Sequence, residues 1–180
     1  MFRARISENA HLQLLEERHA ATVFTLVDHE RTHLREWLPW VDATERVDDT
    51  LSFIKSSLEQ FASNHGFAAG IWCEDEFCGV VGTHKLDWLN RRGEIGYWLA
   101  RSHQGRGLIT AACRAVVTHL LGDLDLNRAE INCATGNRKS CAVPPRLGFT
   151  EEGVAREALL LHGRFHDLRR FAMLKKDWKA

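Results

Sequence analysis

Between residues 18 and 63 the apolar positions recur every three or four residues, and beyond Gly66 they alternate. This change of period is the first guide to the elements. Residues 11–15 predict a short opening strand, and residues 18–28 a helix with Ala20, Val23, Phe24 and Val27 on one face. A second short helix ends near Trp37, because Pro39 disfavours helical dihedrals at Leu38. Residues 48–63 predict a third helix striped by Leu51, Ile54, Leu58 and Phe61, with Asp48 placed to cap its N-terminus.

After Gly66 the alternation predicts a hairpin of strands 67–73 and 77–84 about a turn at 74–76. A turn over 90–93 leads into a strand over 94–99 that sets Glu94, Gly96 and Trp98 on one face. Ala111, Ala112, Ala115, Val116 and Leu120 stripe a helix over 108–121. A strand over 128–134 follows, then a short helix that ends at 147–149. Pro144 and Pro145 remove two N–H donors from that helix, so it is expected to be short, kinked or partly 3₁₀. Strands over 149–161 and 164–174, joined at His162-Gly163, close the chain. The order calls for one α/β domain over 1–180, a mixed sheet with helices on both faces.

With 180 residues and 44% hydrophobic side chains, the chain is long enough for one real core. Its 24 basic and 24 acidic residues cancel, so no global field draws it to nucleic acid or an anionic membrane. Residues 1–9 lack a signal-like apolar run and no segment has the length of a membrane span, which leads us to expect a cytoplasmic protein that binds neither. The five cysteines, Cys73, Cys78, Cys113, Cys133 and Cys141, form no C-x-x-C pair and are expected to be free thiols. Ten histidines form no zinc motif, and no metal is expected.

The segment Gln104-Gly105-Arg106-Gly107-Leu108-Ile109 lies between a strand end and a helix start. Glycines admit close ligand approach, and the first N–H groups of a helix lack partners, so a phosphate fits there. The spacing is neither the G-x-G-x-x-G of a dinucleotide fold nor a P-loop with its Lys-Ser/Thr.

Gln104-x-x-Gly107-x-Ile109 resembles the Q/R-x-x-G-x-G/A acetyl-CoA loop of the GNAT acetyltransferase superfamily. Ile109-Thr110 departs from it in the manner of the RimJ/RimL-type branch, which acetylates the N-termini of ribosomal proteins. Four further segments resemble that branch: Trp37-Leu38-Pro39-Trp40, Glu94 through Leu99, Asn137-x-x-Ser140 with Leu147-Gly148-Phe149, and Glu152-Gly153 with Gly163-x-x-His166-Asp167. Together they span nearly the whole chain.

The resemblance implies a mostly antiparallel sheet with a V-shaped splay between its two middle strands. Acetyl-CoA would lie in that gap as co-substrate, contacted by Leu99, Ala100, Arg101, Gln104, Gly105, Arg106, Gly107, Leu108, Ile109, Asn137 and Ser140, with Arg138 a further phosphate candidate. Arg101, Arg106 and Arg138 read equally well as solvated surface charges. Ser140 is implied as general acid toward the leaving thiolate, and it and Asn137 also read as helix-capping residues. Glu94 is the candidate base through water, and otherwise a surface carboxylate paired with Arg91 or Arg92.

A glutamate that some relatives carry on the later strand falls by register at Leu159, with Glu157 two residues earlier on the same face. Cys133 matches a cysteine near the CoA sulfur in part of the branch, and small buried cysteines are common in cores. His84, His162, His166, Trp37 and Trp40 are candidates for the acceptor cleft or for purely structural roles. The acceptor is expected to be a protein N-terminus, with a small amine (polyamine, amino acid or aminoglycoside) or a non-catalytic CoA-binding role as alternatives. A homodimer through the closing hairpin is expected by resemblance.

Overall fold

The computed structural model describes residues 3–179. Eight strands form one sheet in the order β1-β2-β3-β4-β5-β6-β8-β7. They are β1 (Arg3–Arg5), β2 (Ala10–Leu14), β3 (Ala68–Cys73), β4 (Glu76–Asp87), β5 (Arg92–Leu99), β6 (Arg128–Ala134), β7 (Thr150–Leu161) and β8 (Arg164–Leu174). The helices are α1 (Ala20–His29), α2 (Arg31–Leu34), α3 (Val47–Ala62), α4 (Leu108–Thr118), α5 (Arg138–Cys141) and α6 (Val143–Arg146).

Two cores flank the sheet. On one face Ala112, Val116 and Leu120 meet Ile95, Ile131 and Phe171. On the other Val23 and Val27 of α1 and Ile54 of α3 pack on Phe77 and Val80 of β4. The α1 and α4 stripes, and the α3 stripe as far as Leu58, thus face the sheet as their spacing predicts.

Among the described residues strands β5 and β6 are the one parallel pair, and they pair only at Arg92↔Arg128, Gly93↔Ala129 and Glu94↔Glu130. Beyond that point they part, which is the expected splay. Opposite, Ala100 N–H donates to Cys78 O at 2.8 Å, and Leu99 lies across from Gly79. Main-chain groups alternate between the two edges of a strand, so the N–H and C=O of Leu99, and of Tyr97 two residues back, point into the gap.

The structure departs from the pattern reading at several places. Strand β1 was not expected: its three residues are exposed and joined to β2 by backbone pairing, which leaves no apolar signature. Asp48 does not cap α3; Asp49 does, its carboxylate accepting the N–H groups of Glu45 and Arg46 at 2.9 and 3.0 Å. Phe61, expected in the buried stripe, is 38% exposed.

Helix α4 ends its regular turns at Thr118 and widens over His119–Asp123, where Leu124 N–H donates to His119 O. The wide turn lets the adjacent Leu120 and Leu121 both bury. The proline pair leaves two one-turn helices, α5 and α6, parted at Ala142. The missing N–H groups fall in the first turn of α6, where they cost least. Strand β4 runs on to Asp87 through a bulge at His84, and β7 bulges between Ala155 and Leu159.

Candidate active site

The glycine loop takes the shape its composition predicts. Gly105 and Gly107 both have φ +77, a region costly for residues with a Cβ, and Gly107 opens α4 with no side-chain cap. A Cβ at either glycine would meet nothing within 4 Å, so the loop faces open space. The first N–H groups of α4 are directed there, a cradle suited to a diphosphate.

The loop borders a cleft of about 2350 Å³ that follows the splay. Leu99, Arg101, Gln104, Gly105, Gly107, Leu108 and Ile109 line it from one side, and Asn137, Arg138 and Ser140 from the other. Ala100 and Arg106 do not line it. The amide of Ala100 is spent on Cys78, and the guanidinium of Arg106 turns to the Cys73 sulfur at 3.5 Å.

Gln104 straps the mouth of this cleft. Lys139 Nζ donates to its Oε1 at 2.7 Å, which leaves its amide N–H to donate to His33 Nε2, also at 2.7 Å. His33 must therefore be neutral, with its proton on Nδ1. Burial first, then the positive charges of Arg101 and Lys139, holds its pKa below the usual imidazole value against the carboxylates of Glu30 and Glu36.

Deeper in the gap, Ser140 Oγ lies 3.2 Å from both Tyr97 Oη and Cys133 Sγ, and Tyr97 Oη donates to Ser140 O at 3.1 Å. Asn137 caps α5 by accepting Ser140 N–H at 3.1 Å, which fixes where the hydroxyl starts. The capping reading thus holds for Asn137, and the cap sets Ser140 at the cleft. Burial pushes the Tyr97 phenol far above its ordinary value and the Cys133 thiol up to about 11. Both stay protonated at neutral pH, in a small hydroxyl–phenol–thiol cluster without net charge. Sequence reasoning did not single out Tyr97; the available signal was that it is the only tyrosine of the chain and lies on the splayed strand.

Glu94 lies on the opposite face from Tyr97 and is not brought to Ser140. It lines a second cleft with Lys85 and Arg170. Nor does it pair with Arg91 or Arg92: Arg91 binds Asp125, and Arg92 binds Asp87 and Glu130. On Glu94's face the His84 ring sits over Gly96, where a Cβ would come 2.3 Å from Nε2. Trp40 tilts against Trp98 at 6.2 Å, and Trp37 packs over Gly136. His162, at the tip of the β7–β8 hairpin, bonds Arg35 O at 2.6 Å and stands 3.5 Å from Asp42, so the hairpin walls this face. His166 pairs with Leu159 in the ladder. Glu157 does not share a regular face with Leu159: it sits in the bulge at φ +51, its N–H donating to Asp167 Oδ1 at 2.8 Å. Among the described residues, no group of three His, Cys, Asp or Glu side chains is placed to hold a metal ion.

A sheet splayed beside a helix N-terminus, with a free strand edge and a serine hydroxyl in the gap, has the architecture of an acyltransferase of the GNAT fold. Residues 10–150 match the family model "Acetyltransferase (GNAT) domain", and the chain belongs to that family. The protein YdaF of Bacillus subtilis (strain 168), which carries a provisional ribosomal N-acetyltransferase name, is 38% identical over 181 residues, spanning 100% of this chain and 99% of that one. The ribosomal-protein-serine acetyltransferase of Escherichia coli (strain K12) is 30% identical over 170 residues, 94% of this chain and 95% of its own. The structure of RimL, a ribosomal L7/L12 α-N-protein acetyltransferase, superposes with a TM-score of 0.93 at 27% identity, covering 96% of this chain and 98% of that one. It holds coenzyme A in a disulfide with a cysteine of that protein.

Proposed function

We propose that this N-acetyltransferase moves the acetyl group of acetyl-CoA to the N-terminal α-amine of a protein, ribosomal proteins foremost, by direct attack in a ternary complex. The observation that carries the reading is the free main-chain edge at Tyr97 and Leu99 beside the Ser140–Tyr97–Cys133 cluster. The diphosphate of CoA sits at the N-terminus of α4, and its pantetheine pairs with that edge as an added strand would. The Leu99 N–H, directed into the gap, is the donor for the developing oxyanion. Ser140 gives its proton to the departing sulfur on the Tyr97 face. The amine enters from the other face, past Trp98 and His84, with Glu94 taking its proton through water.

An α-amine needs no strong base. Its pKa near 8 leaves a useful neutral fraction, whereas freeing a lysine amine costs roughly 4 kcal/mol near pH 7.4. The second cleft also bears on the acceptor. Its acidic side chains Asp87, Glu94, Glu130 and Glu152 are matched by Lys85, Arg92, Arg128 and Arg170, so it lacks the surplus of carboxylates a polyamine would need.

Thiol release from acetyl-CoA, followed with N-terminal peptides, spermidine and aminoglycosides side by side, tests the assignment. Acetylation at the peptide α-amine that falls in Ser140→Ala and Glu94→Gln supports it. Turnover confined to small amines would assign the acceptor to them instead, and binding without turnover on any acceptor would leave only a CoA-binding module.

The reading carries a cytoplasmic enzyme that dimerises through β7 and β8, where Val154, Leu160 and Phe165 are exposed. Sedimentation measures that directly.

A further inference from the structure

The bulge in β4 inserts His84 between Thr83, which pairs with Ile95, and Lys85, which pairs with Glu94. It leaves both His84 and Lys85 on the acceptor face. There, beyond the cover of α1 and α3, strands β4 to β8 floor the second cleft, of about 610 Å³. Most of its charge cancels internally. Arg92 holds Asp87 at 3.2 Å and Glu130 at 3.7 Å, while Arg128 holds Glu130 at 2.6 Å and also pairs with Glu152. Among the described residues, three charged side chains of the cleft have no ion pair or hydrogen bond: Glu94, Lys85 and Arg170.

These three are ordered in space. Glu94 stands where β5 and β6 last pair, at the apex of the splay, with Lys85 on the neighbouring strand. Arg170 lies opposite Asn132, two strands across from Glu94 and two residues along. With strands about 4.8 Å apart and residues about 3.4 Å apart, Arg170 is about 12 Å from Glu94, the span of three or four extended residues. A polycation laid here would meet one free carboxylate and two opposing cations. A chain that begins with an ammonium and carries a carboxylate a few residues later meets Glu94 first and then Arg170.

We propose that this cleft receives the first residues of an acidic protein N-terminus, with Arg170 reading a carboxylate side chain at the second to fourth position while the α-amine lies toward Glu94. The proposal rests on the α-amine acceptor reading and adds to it the sequence class of the acceptor. Arg170 is the specificity determinant in this scheme, Lys85 adds only to the cleft's repulsion of further cations, and neither takes part in bond making.

The test uses Ser-initiated peptides bearing Asp, Asn or Lys at positions two to four, with kcat/KM measured by thiol release for wild type, Lys85→Glu, Arg170→Glu and the double variant. Wild type is expected to favour Asp over Lys by about tenfold, an effect that shrinks as salt screens the pairs. Arg170→Glu is expected to reverse the order, with kcat at saturating peptide held. Both side chains are exposed and unpaired, so unchanged melting curves should accompany the change. Peptides acetylated with no charge preference, or a preference that survives in the double variant, would overturn the cleft assignment and leave the α-amine reading standing. Turnover of spermidine with none of any peptide would overturn both.

Discussion

The hydroxyl of Ser140 lies 3.2 Å from the phenol oxygen of Tyr97, and that phenol spends its own proton on the carbonyl of Ser140. Tyr97 is therefore an acceptor toward the serine and sets its direction. Ser140→Ala is expected to lower kcat by about 100-fold, the scale of losing a placed proton donor, with little change in the KM for acetyl-CoA. Tyr97→Phe should cost about tenfold, and the double variant should match Ser140→Ala alone, because the two groups act as one unit. Thioesters with more acidic leaving thiols separate this from a folding effect. They need less proton donation, so the Ser140→Ala defect should shrink with them; an unchanged defect across leaving groups would exclude Ser140 as the acid.

Two glycines separate binding from folding. At Gly107 a Cβ meets open space and only the φ of +77 objects, so Gly107→Ala should fold, lose about 1 kcal/mol of stability and bind CoA more weakly. At Gly79 a Cβ would sit 2.2 Å from Trp98 O and 2.9 Å from Leu99 Cα, so Gly79→Ala must push β4 from β5. Thermal melts and CoA titration of the pair check this: the first variant should show weakened binding at near-normal melting, the second a large loss of melting temperature.

The sequence carried the fold wherever side chains had to face a core. Strand β6 matches its alternation residue for residue, and α1, α3 and α4 present the stripes their spacing requires. What escaped it was structure made by the backbone alone. Strand β1 has no buried side chain, and the His84 bulge, which turns Lys85 toward the second cleft, leaves no mark on composition. The site divides in the same way. The glycine loop and Asn137–Ser140 could be read because rare dihedrals and a cap constrain residue type. The Tyr97 partnership needs two segments 43 residues apart to meet, and local pattern does not encode that.

Asp49 shows a cap that spacing placed one residue too early. Its carboxylate takes two N–H groups, and those bonds hold its pKa below the usual 3.8. Asp49→Ala should lower the melting temperature by about 2–4 °C. Asp48→Ala, one residue along, should change melting far less.

The strap His33–Gln104–Lys139 ties α2 to the glycine loop and α5, and its strength should depend on pH. Burial and the charges of Arg101 and Lys139 place the folded pKa of His33 below the ordinary 6.5. Between the two values the unfolded chain takes up a proton that the folded one refuses. The His33 contribution is therefore fully present above 6.5 and is lost as the pH falls through the folded value. Protonation also removes the Nε2 lone pair that Gln104 requires. His11 and His19 have lowered values as well and add slopes of the same sign, so the measurement is a difference. Melting temperature against pH should fall more steeply below 6.5 for wild type than for His33→Gln. CoA affinity, read on the same samples, should weaken over that range in wild type and stay flatter in the variant, and superimposable profiles would show that the strap does not sense pH.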